Sequence, residues 1–120
     1  MPLVVLPVDG SGPASKVSDS FGRAEAFWIY DTESDGHTEQ PNRGLASPGG
    51  AGIKAAQQVV DAGAAVLLAP QLGENAAKIL RSAGIALFHS RPGEPAANIA
   101  AHLAGELVPL NQTHPGQHGA

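Results

Sequence analysis

The fold is decided by the first stretch of the chain, Leu3–Val8, whose sequence is LVVLPV. This continuous apolar run stops at Asp9–Pro13, where the sequence DGSGP is typical of a turn. A short run in which nearly every residue is apolar indicates a strand that is buried on both faces. We therefore predict that Leu3–Val8 is the central strand of an α/β sheet.

The next segments predict two strands that pair as a hairpin. Ala26–Tyr30 is rich in aromatic and β-branched residues, which favour a strand. The cluster Glu33–Gly36 is typical of a hairpin turn, and His37–Gln40 after it is predicted to be a short edge strand. The segment between the first two strands, Ala14–Arg23, is predicted to be a polar loop.

The second half of the chain alternates between helix and strand patterns. An amphipathic helix is predicted from Ala51 to Gly63, a second follows Asn75 and stops at Gly84, and buried strands are predicted at 65–69 and 85–88. Pro95 begins a third helix that is expected to end at Pro109, with one apolar face made by Ile99, Ala100, Leu103 and Leu107. The order predicts a mixed α/β sheet of about five strands, three antiparallel and then parallel through right-handed crossovers, with three helices.

Length and composition predict one domain. With 120 residues, we expect a single α/β domain over residues 1–108 and a flexible C-terminal tail over 109–120. The formal charge of −4 argues against nucleic-acid or membrane partners, and the absence of cysteine excludes disulfides and thiolate metal ligands. The apolar start is short and lacks a basic leader, so we expect neither a signal peptide nor a membrane span, and a cytoplasmic protein.

Several loops are expected to meet at one edge of the sheet. In open α/β sheets, ligands bind outside the carboxyl ends of the parallel strands, where helix N-termini converge. The loops after the first strand, at Gly49–Lys54 and at Gln71–Asn75 qualify, and helix N-termini favour an anion. Arg23, Arg43 and Lys54 could add positive charge. His89 ends the last strand and could face the same crevice or the surface, whereas His102 is expected on the solvent side of the third helix.

Other chemistries have weaker signals. Gly50–Ala55 formally matches a dinucleotide fingerprint, but no buried strand directly precedes it and Pro70 stands where the ribose-binding acid is expected. Asp9, Glu25 and Asp31 could form a two-metal phosphodiesterase site. Asp9 and Asp31, however, are expected at opposite ends of the sheet, which favours turn and cap roles.

Four separated motifs in order carry a family resemblance: SDSFGRA at 18–24, PN at 41–42, GGAGI at 49–53 and GENA at 73–76. Together they resemble the dinitrogenase iron-molybdenum cofactor biosynthesis family, from about Leu3 to Leu107. The resemblance implies a ribonuclease-H-like fold without nuclease activity, in a family that binds or carries molybdenum- or iron-containing sulfide clusters. Small stand-alone members include one that holds a molybdenum-copper sulfide cluster without covalent attachment, and this short, cysteine-free chain suits that branch.

One position departs from the family pattern. Many members carry histidine where this chain has Ser20, so we assign no side chain as a direct metal ligand and expect outer-sphere binding of an anionic cluster. The cluster would be a molybdenum-copper sulfide or an iron-molybdenum-sulfur cluster, received from or passed to a donor or acceptor protein. We expect no enzymatic turnover.

The alternative is a protein-interaction or regulatory module without a cluster. The candidate binding residues are Ser18, Arg23, Gly50, Gly52, Lys54, Asn75 and His89, of which Ser18 and Asn75 could equally be helix or turn caps.

Overall fold

The computed structural model of the chain describes residues 3–10, 15–45 and 49–110. These residues form six strands and three helices. In chain order, the elements are β1 (Leu3–Asp9), β2 (Lys16–Val17), β3 (Ala26–Asp31), β4 (Gly36–Pro41), α1 (Ala51–Asp61), β5 (Ala64–Ala69), α2 (Glu74–Ser82), β6 (Ala86–His89) and α3 (Pro95–Leu103).

The strands form one mixed sheet in the order β4-β3-β1-β5-β6, with β2 paired to β1 outside this path. β3 is antiparallel to both β1 and β4, whereas β5 is parallel to both β1 and β6. The predicted fold class is therefore confirmed: a ribonuclease-H-like mixed α/β sheet with β1 at its centre.

Side chains alternate between the two faces of the sheet, as a strand requires. On β1, Val5 packs in a core with α1 and α2, whereas Val4, Leu6 and Val8 pack in a second core with Ile99 of α3. Two helices therefore cover one face and the third helix covers the other. Because both faces are covered, β1 is apolar at almost every position, which is the pattern that made it recognisable in the sequence.

The third helix is shorter than the sequence predicted. It ends at Leu103 rather than at Pro109, and its buried residues include Ile99 and Ala101, whereas Ala100 and Leu103 are exposed. Leu107 is buried, but it belongs to the segment that follows the helix. The predicted apolar face was wrong because it treated Leu107 as a helical residue. The helix ends at Leu103, so helical spacing does not apply at Leu107.

The segment after α3 packs along β6. Phe88 forms an antiparallel bridge with Pro109, and the Leu110 N–H donates to the Leu87 carbonyl at 2.9 Å. Leu110 is buried. The packed structure thus includes Pro109 and Leu110, which the sequence assigned to the tail, and the rest of that predicted tail lies outside the described residues.

One histidine and one loop also differ from expectation. His102 is half-buried rather than solvent-facing and lies against Phe88, with 5.1 Å between ring centroids, and this burial lowers its pKa. The predicted polar loop 14–23 contains β2, which pairs Val17 with Val8 of β1. A two-residue strand gives no periodic signal, so the sequence could not reveal it. Among the described residues, no helix is both long and apolar enough to cross a membrane.

Candidate functional site

The direction of the strands gathers four loops at one edge of the sheet. β1 ends there at Asp9, β5 at Ala69 and β6 at His89, and the antiparallel β3 begins there at Ala26. The loops that follow β1, β4, β5 and β6 therefore start at this edge. It is the edge at which open α/β sheets bind their ligands, as the sequence predicted.

Asn42 holds two of these loops together. Its buried side-chain amide donates to the carbonyls of Gly22 at 3.0 Å and Ala24 at 2.9 Å, and its Oδ1 accepts from the Gly44 N–H at 2.9 Å. Its own N–H donates to the Glu25 carbonyl at 3.1 Å, which prolongs the β3–β4 ladder by one pair. One side chain thus fixes the loop before β3 against the loop after β4.

Close backbone approach then brings both loops to the start of α1. A Cβ added to Gly22 would lie 3.1 Å from the Gly52 nitrogen, and one added to Gly44 would lie 3.0 Å from both the Ala51 carbonyl oxygen and the Lys54 Cβ. These distances are tighter than nearly all real Cβ contacts, so a side chain at either position would have to displace its neighbour. Glycine therefore lets both loops approach the helix closely. We call the described residues of 18–24, 42–45 and 49–54 the three-loop site.

The start of α1 is electrostatically suited to an anion. Its N-cap is Gly50, no side chain of the described residues caps it, and its first turn contains no acidic residue. Since the N–H groups of a first helical turn have no acceptor within the helix, they leave a partial positive charge there. A Cβ added to Gly49 or Gly50 would meet no atom of the described residues within 4 Å, so none of those residues crowds these two positions.

The start of α2 differs in one charge. No side chain in the described part of the chain caps it either, but its first turn contains Glu74. A carboxylate at that position already interacts with the helix dipole and repels an approaching anion. Between α1 and α2, the start of α1 is therefore the better anion site.

Three candidate cations lie on the three-loop site, Arg23, Arg43 and Lys54, and all three are exposed. The Arg23 N–H donates to Ser20 Oγ at 3.1 Å, and Arg23 Nη1 donates to the Leu45 carbonyl at 3.1 Å, so the guanidinium lies across the loop after β4. Lys54 is exposed on α1, with its Cβ beside Gly44. The structure therefore places Arg23, Lys54, Gly50 and Gly52 in one region.

The predicted residue Ser18 supports the three-loop site through hydrogen bonds within its own loop. It is buried, its hydroxyl donates to the Ser20 carbonyl at 3.0 Å and its Oγ accepts the Ser20 N–H at 3.2 Å. These bonds shape a tight turn that presents Ser20, whose own Oγ receives the Arg23 N–H. Ser18 thus acts on the site through the loop that it orders.

The other two predicted residues lie on the neighbouring strand ends and helix. Asn75 is exposed in the first turn of α2, where Gly73 rather than Asn75 is the N-cap. His89 Nδ1 lies 3.2 Å from the Pro70 carbonyl oxygen, which can only accept, so Nδ1 is the donor of this hydrogen bond. Gly52 brings the three-loop site close to α2, because a Cβ added to Gly52 would lie 3.9 Å from the Cβ of Ala76 on α2.

The carboxylates do not form a phosphodiesterase site in the described part of the chain. Asp31 pairs with Leu3 at one end of β1, whereas Asp9 lies at the other end, and Asp9 Oδ1 accepts the Glu25 N–H at 3.0 Å. The described residues contain no group of three histidine or acidic side chains that could hold a metal ion. Asp9 therefore orders the loop, as the turn and cap interpretation predicted.

Sequence reasoning missed the residues that build the site rather than line it. Besides Asn42, the buried Gln58 of α1 accepts the Arg43 N–H at 2.9 Å and donates to the Pro41 carbonyl at 2.8 Å. The hydroxyls of Ser15 and Ser90 are buried without a hydrogen-bond partner among the described residues. A polar residue at an otherwise apolar helix position, such as Gln58, was the one available signal.

The fold and the site define a class of protein: a mixed α/β domain with a glycine-rich, positively charged helix start at the ligand-binding edge of its sheet. The family of dinitrogenase iron-molybdenum cofactor proteins matches residues 2–105. The chain belongs to this family, and the resemblance seen in its motifs is confirmed.

Solved structures agree with this assignment. The NMR structure of a Thermotoga protein described as a candidate NifB protein of the DUF35 family is 37% identical, with a TM-score of 0.81 over 93% of this chain and 96% of that one. The apo form of the orange protein from Desulfovibrio gigas is 28% identical, with a TM-score of 0.83 over 92% and 94% of the two chains. A dinitrogenase-type protein of Methanocaldococcus jannaschii, 16% identical with a TM-score of 0.69 over 92% and 95%, shares the fold. No curated protein matches the sequence.

Proposed function

We propose that this protein binds, stores or carries an anionic metal-sulfide cluster, of molybdenum with copper or iron, without covalent attachment and without catalytic turnover. The observation that carries the proposal is the start of α1, which has no side-chain cap among the described residues and no acidic residue in its first turn, and which lies beside Arg23 and Lys54. Membership of the dinitrogenase iron-molybdenum cofactor family supports a cluster as the cargo.

The donor set of the described residues fits outer-sphere binding. The chain contains no cysteine, and the described residues offer no cluster of histidine and acidic ligands. The three-loop site contains backbone N–H groups, the guanidinium groups of Arg23 and Arg43 and the ammonium of Lys54, all of which donate to an anion, and its one acidic residue is Asp19. A thiometallate exposes sulfides that accept such hydrogen bonds, so it can be held without displacing its own ligands.

Reconstitution with tetrathiomolybdate and copper tests the proposal. We expect the protein to acquire visible absorbance that remains with it through gel filtration at low salt. Because Lys54 is exposed, its contribution is screened, and we expect Lys54→Ala to lower cluster affinity about three- to tenfold at low salt, with a smaller effect at high salt. Arg23→Ala should act in the same direction.

Lys78→Ala is the matched control. Lys78 is also an exposed helical lysine, but it lies on α2 outside the three-loop site, and its removal changes the net charge by the same amount. It should retain the cluster as the wild type does. Equal retention by the wild type and the Arg23→Ala/Lys54→Ala double variant would remove these cations from the site, and no uptake by the wild type would favour an interaction module instead.

A further inference from the structure

The two outermost strands of the sheet, β4 and β6, differ in how their outer sides are covered. These side edges are distinct from the strand ends that carry the three-loop site. The β6 edge is covered by the chain itself, since the His89 N–H donates to the Val108 carbonyl at 2.8 Å and the Leu110 N–H to the Leu87 carbonyl. β4 forms the opposite edge, and no strand among the described residues pairs with its outer side. Its six residues pair with β3 in one continuous register without a bulge. A regular edge with which no described strand pairs can act as a template for another strand.

The register shows which backbone groups β4 presents outward. Asn42 is hydrogen-bonded to Glu25, directly opposite, and hydrogen-bonded pairs alternate along an antiparallel ladder. Gln40 and Thr38 therefore direct their N–H and C=O groups toward β3, whereas the Gly36 N–H at the turn donates to Ser34 Oγ at 3.2 Å. The outward groups are those of His37 and Glu39, together with the carbonyl of Pro41.

This edge is complementary to itself. When two copies of β4 run antiparallel with Thr38 opposite Thr38, His37 of each copy lies opposite Glu39 of the other. Both of these residues present outward backbone groups, so each of the two pairs can exchange two N–H···O bonds. The same register sets an imidazole against a carboxylate in both pairs and a threonine against a threonine at the centre, all of which are favourable cross-strand neighbours.

The side chains at this edge are already ordered for such pairing. The His37 ring is stacked on Trp28 with 4.1 Å between ring centroids, and Glu39 is directly opposite Trp28 in the ladder. Pro41, which has no N–H, limits the strand at its end and so limits the number of registers. A slip by one residue would oppose inward-directed groups, and pairing would lose its hydrogen bonds.

We propose that two copies of this protein associate through β4, antiparallel and centred on Thr38, to extend the sheet across a twofold axis. The contact involves few residues from each chain and is mostly polar, so the dimer is weak and depends on concentration, with a Kd on the order of 0.1 mM. This surface lies on the β4 edge and is independent of the cluster-binding proposal.

Sedimentation equilibrium over a range of concentrations, with two charge variants, tests the proposed register. His37→Glu sets a second carboxylate against Glu39 in both pairs of a homodimer, and Glu39→Lys sets an ammonium against the imidazole of His37, so each variant alone should remain monomeric. An equimolar mixture restores opposite charges across the axis and should associate at least as strongly as the wild type. Circular dichroism checks that each variant is folded.

The mixture distinguishes this register from other contacts. A wild type that stays monomeric at about 1 mM overturns the proposal. Single variants that associate as strongly as the wild type place the contact on another surface. Failure of two folded single variants to associate when mixed, although the wild type does, shows that His37 and Glu39 do not face each other across the axis.

Discussion

Replacing Asn42 by alanine should destabilise the protein more than any substitution of an exposed residue at the candidate site. The side chain is 6% exposed and makes three hydrogen bonds, to the Gly22 and Ala24 carbonyls and from the Gly44 N–H. All three partner residues are buried. Because their backbone groups would lose a partner without gaining ready access to water, the penalty of an unsatisfied buried group applies to each of them.

The magnitude follows from these three bonds. At a net value of about 1 kcal/mol for each hydrogen bond, Asn42→Ala should lower the free energy of unfolding by about 2–4 kcal/mol. That is a large fraction of the stability of a small domain, which is about 5–15 kcal/mol. Asn42→Asp should cost at least as much, since it keeps the acceptor for Gly44 but turns a carboxylate oxygen toward two carbonyls.

Equilibrium unfolding in urea, followed by the fluorescence of Trp28, measures the loss. Trp28 is a suitable probe because it is the one tryptophan of the chain and is almost fully buried on β3. Asn75→Ala serves as the control, because Asn75 is exposed and its replacement should change stability by less than about 0.5 kcal/mol. A loss below about 1 kcal/mol for Asn42→Ala would refute the view that this amide holds the two loops together.

Three further predictions concern packing and pH. Gly22→Ala should lower the free energy of unfolding by about 1–3 kcal/mol in the same urea assay, because its Cβ would lie 3.1 Å from the backbone nitrogen of Gly52; an unchanged midpoint would contradict this close approach. Leu110→Ala should cost about 2–4 kcal/mol, since its side chain is 2% exposed in the core, and a neutral result would return Leu110 to the tail. Burial lowers the pKa of His102 from its ordinary value of 6.5, so the unfolded chain binds this proton more tightly and stability should fall as pH falls from 6.5 through the lowered pKa. His102→Gln should flatten that part of the stability profile measured by urea unfolding between pH 5 and 8 (about the range in which histidine titrates), and an unaltered slope would exclude His102 as its source.

The elements that the sequence predicted correctly are those whose pattern repeats. Leu3–Val8 was recognisable because a strand covered on both faces is apolar throughout, and α1 and α2 because their apolar positions recur at helical spacing. The wrong predictions lie where the sequence shows no regular hydrophobic period. The chain leaves the helix after Leu103, yet Leu107 happens to continue the helical spacing, and Lys16–Val17 is too short to show any period.

The candidate site was predictable only as a region. Glycine-rich helix starts and strand ends locate the edge of the sheet, and they led to Gly50, Gly52 and Arg23. Asn42 was visible in the sequence as part of a motif, but its role depends on carbonyls that lie 18 and 20 residues away along the chain. Contacts of this kind leave no local sequence pattern, because the residues next to Asn42 in the chain do not show which distant carbonyls its side chain contacts.

Some residues shape the three-loop site, and others could hold its cargo. The salt dependence of cluster retention in their variants distinguishes the two roles. Lys54 is exposed and would act on an anion through charge, so the loss caused by Lys54→Ala should shrink as salt rises. Asn42 is buried and uncharged, and it would act by fixing Gly22 and Gly44 against α1. A loss of geometry is not screened, so Asn42→Ala should weaken cluster retention equally at low and high salt. Equal salt dependence in the two variants would mean that the loops contribute charge alone, and that the close approach at Gly22 has no part in binding.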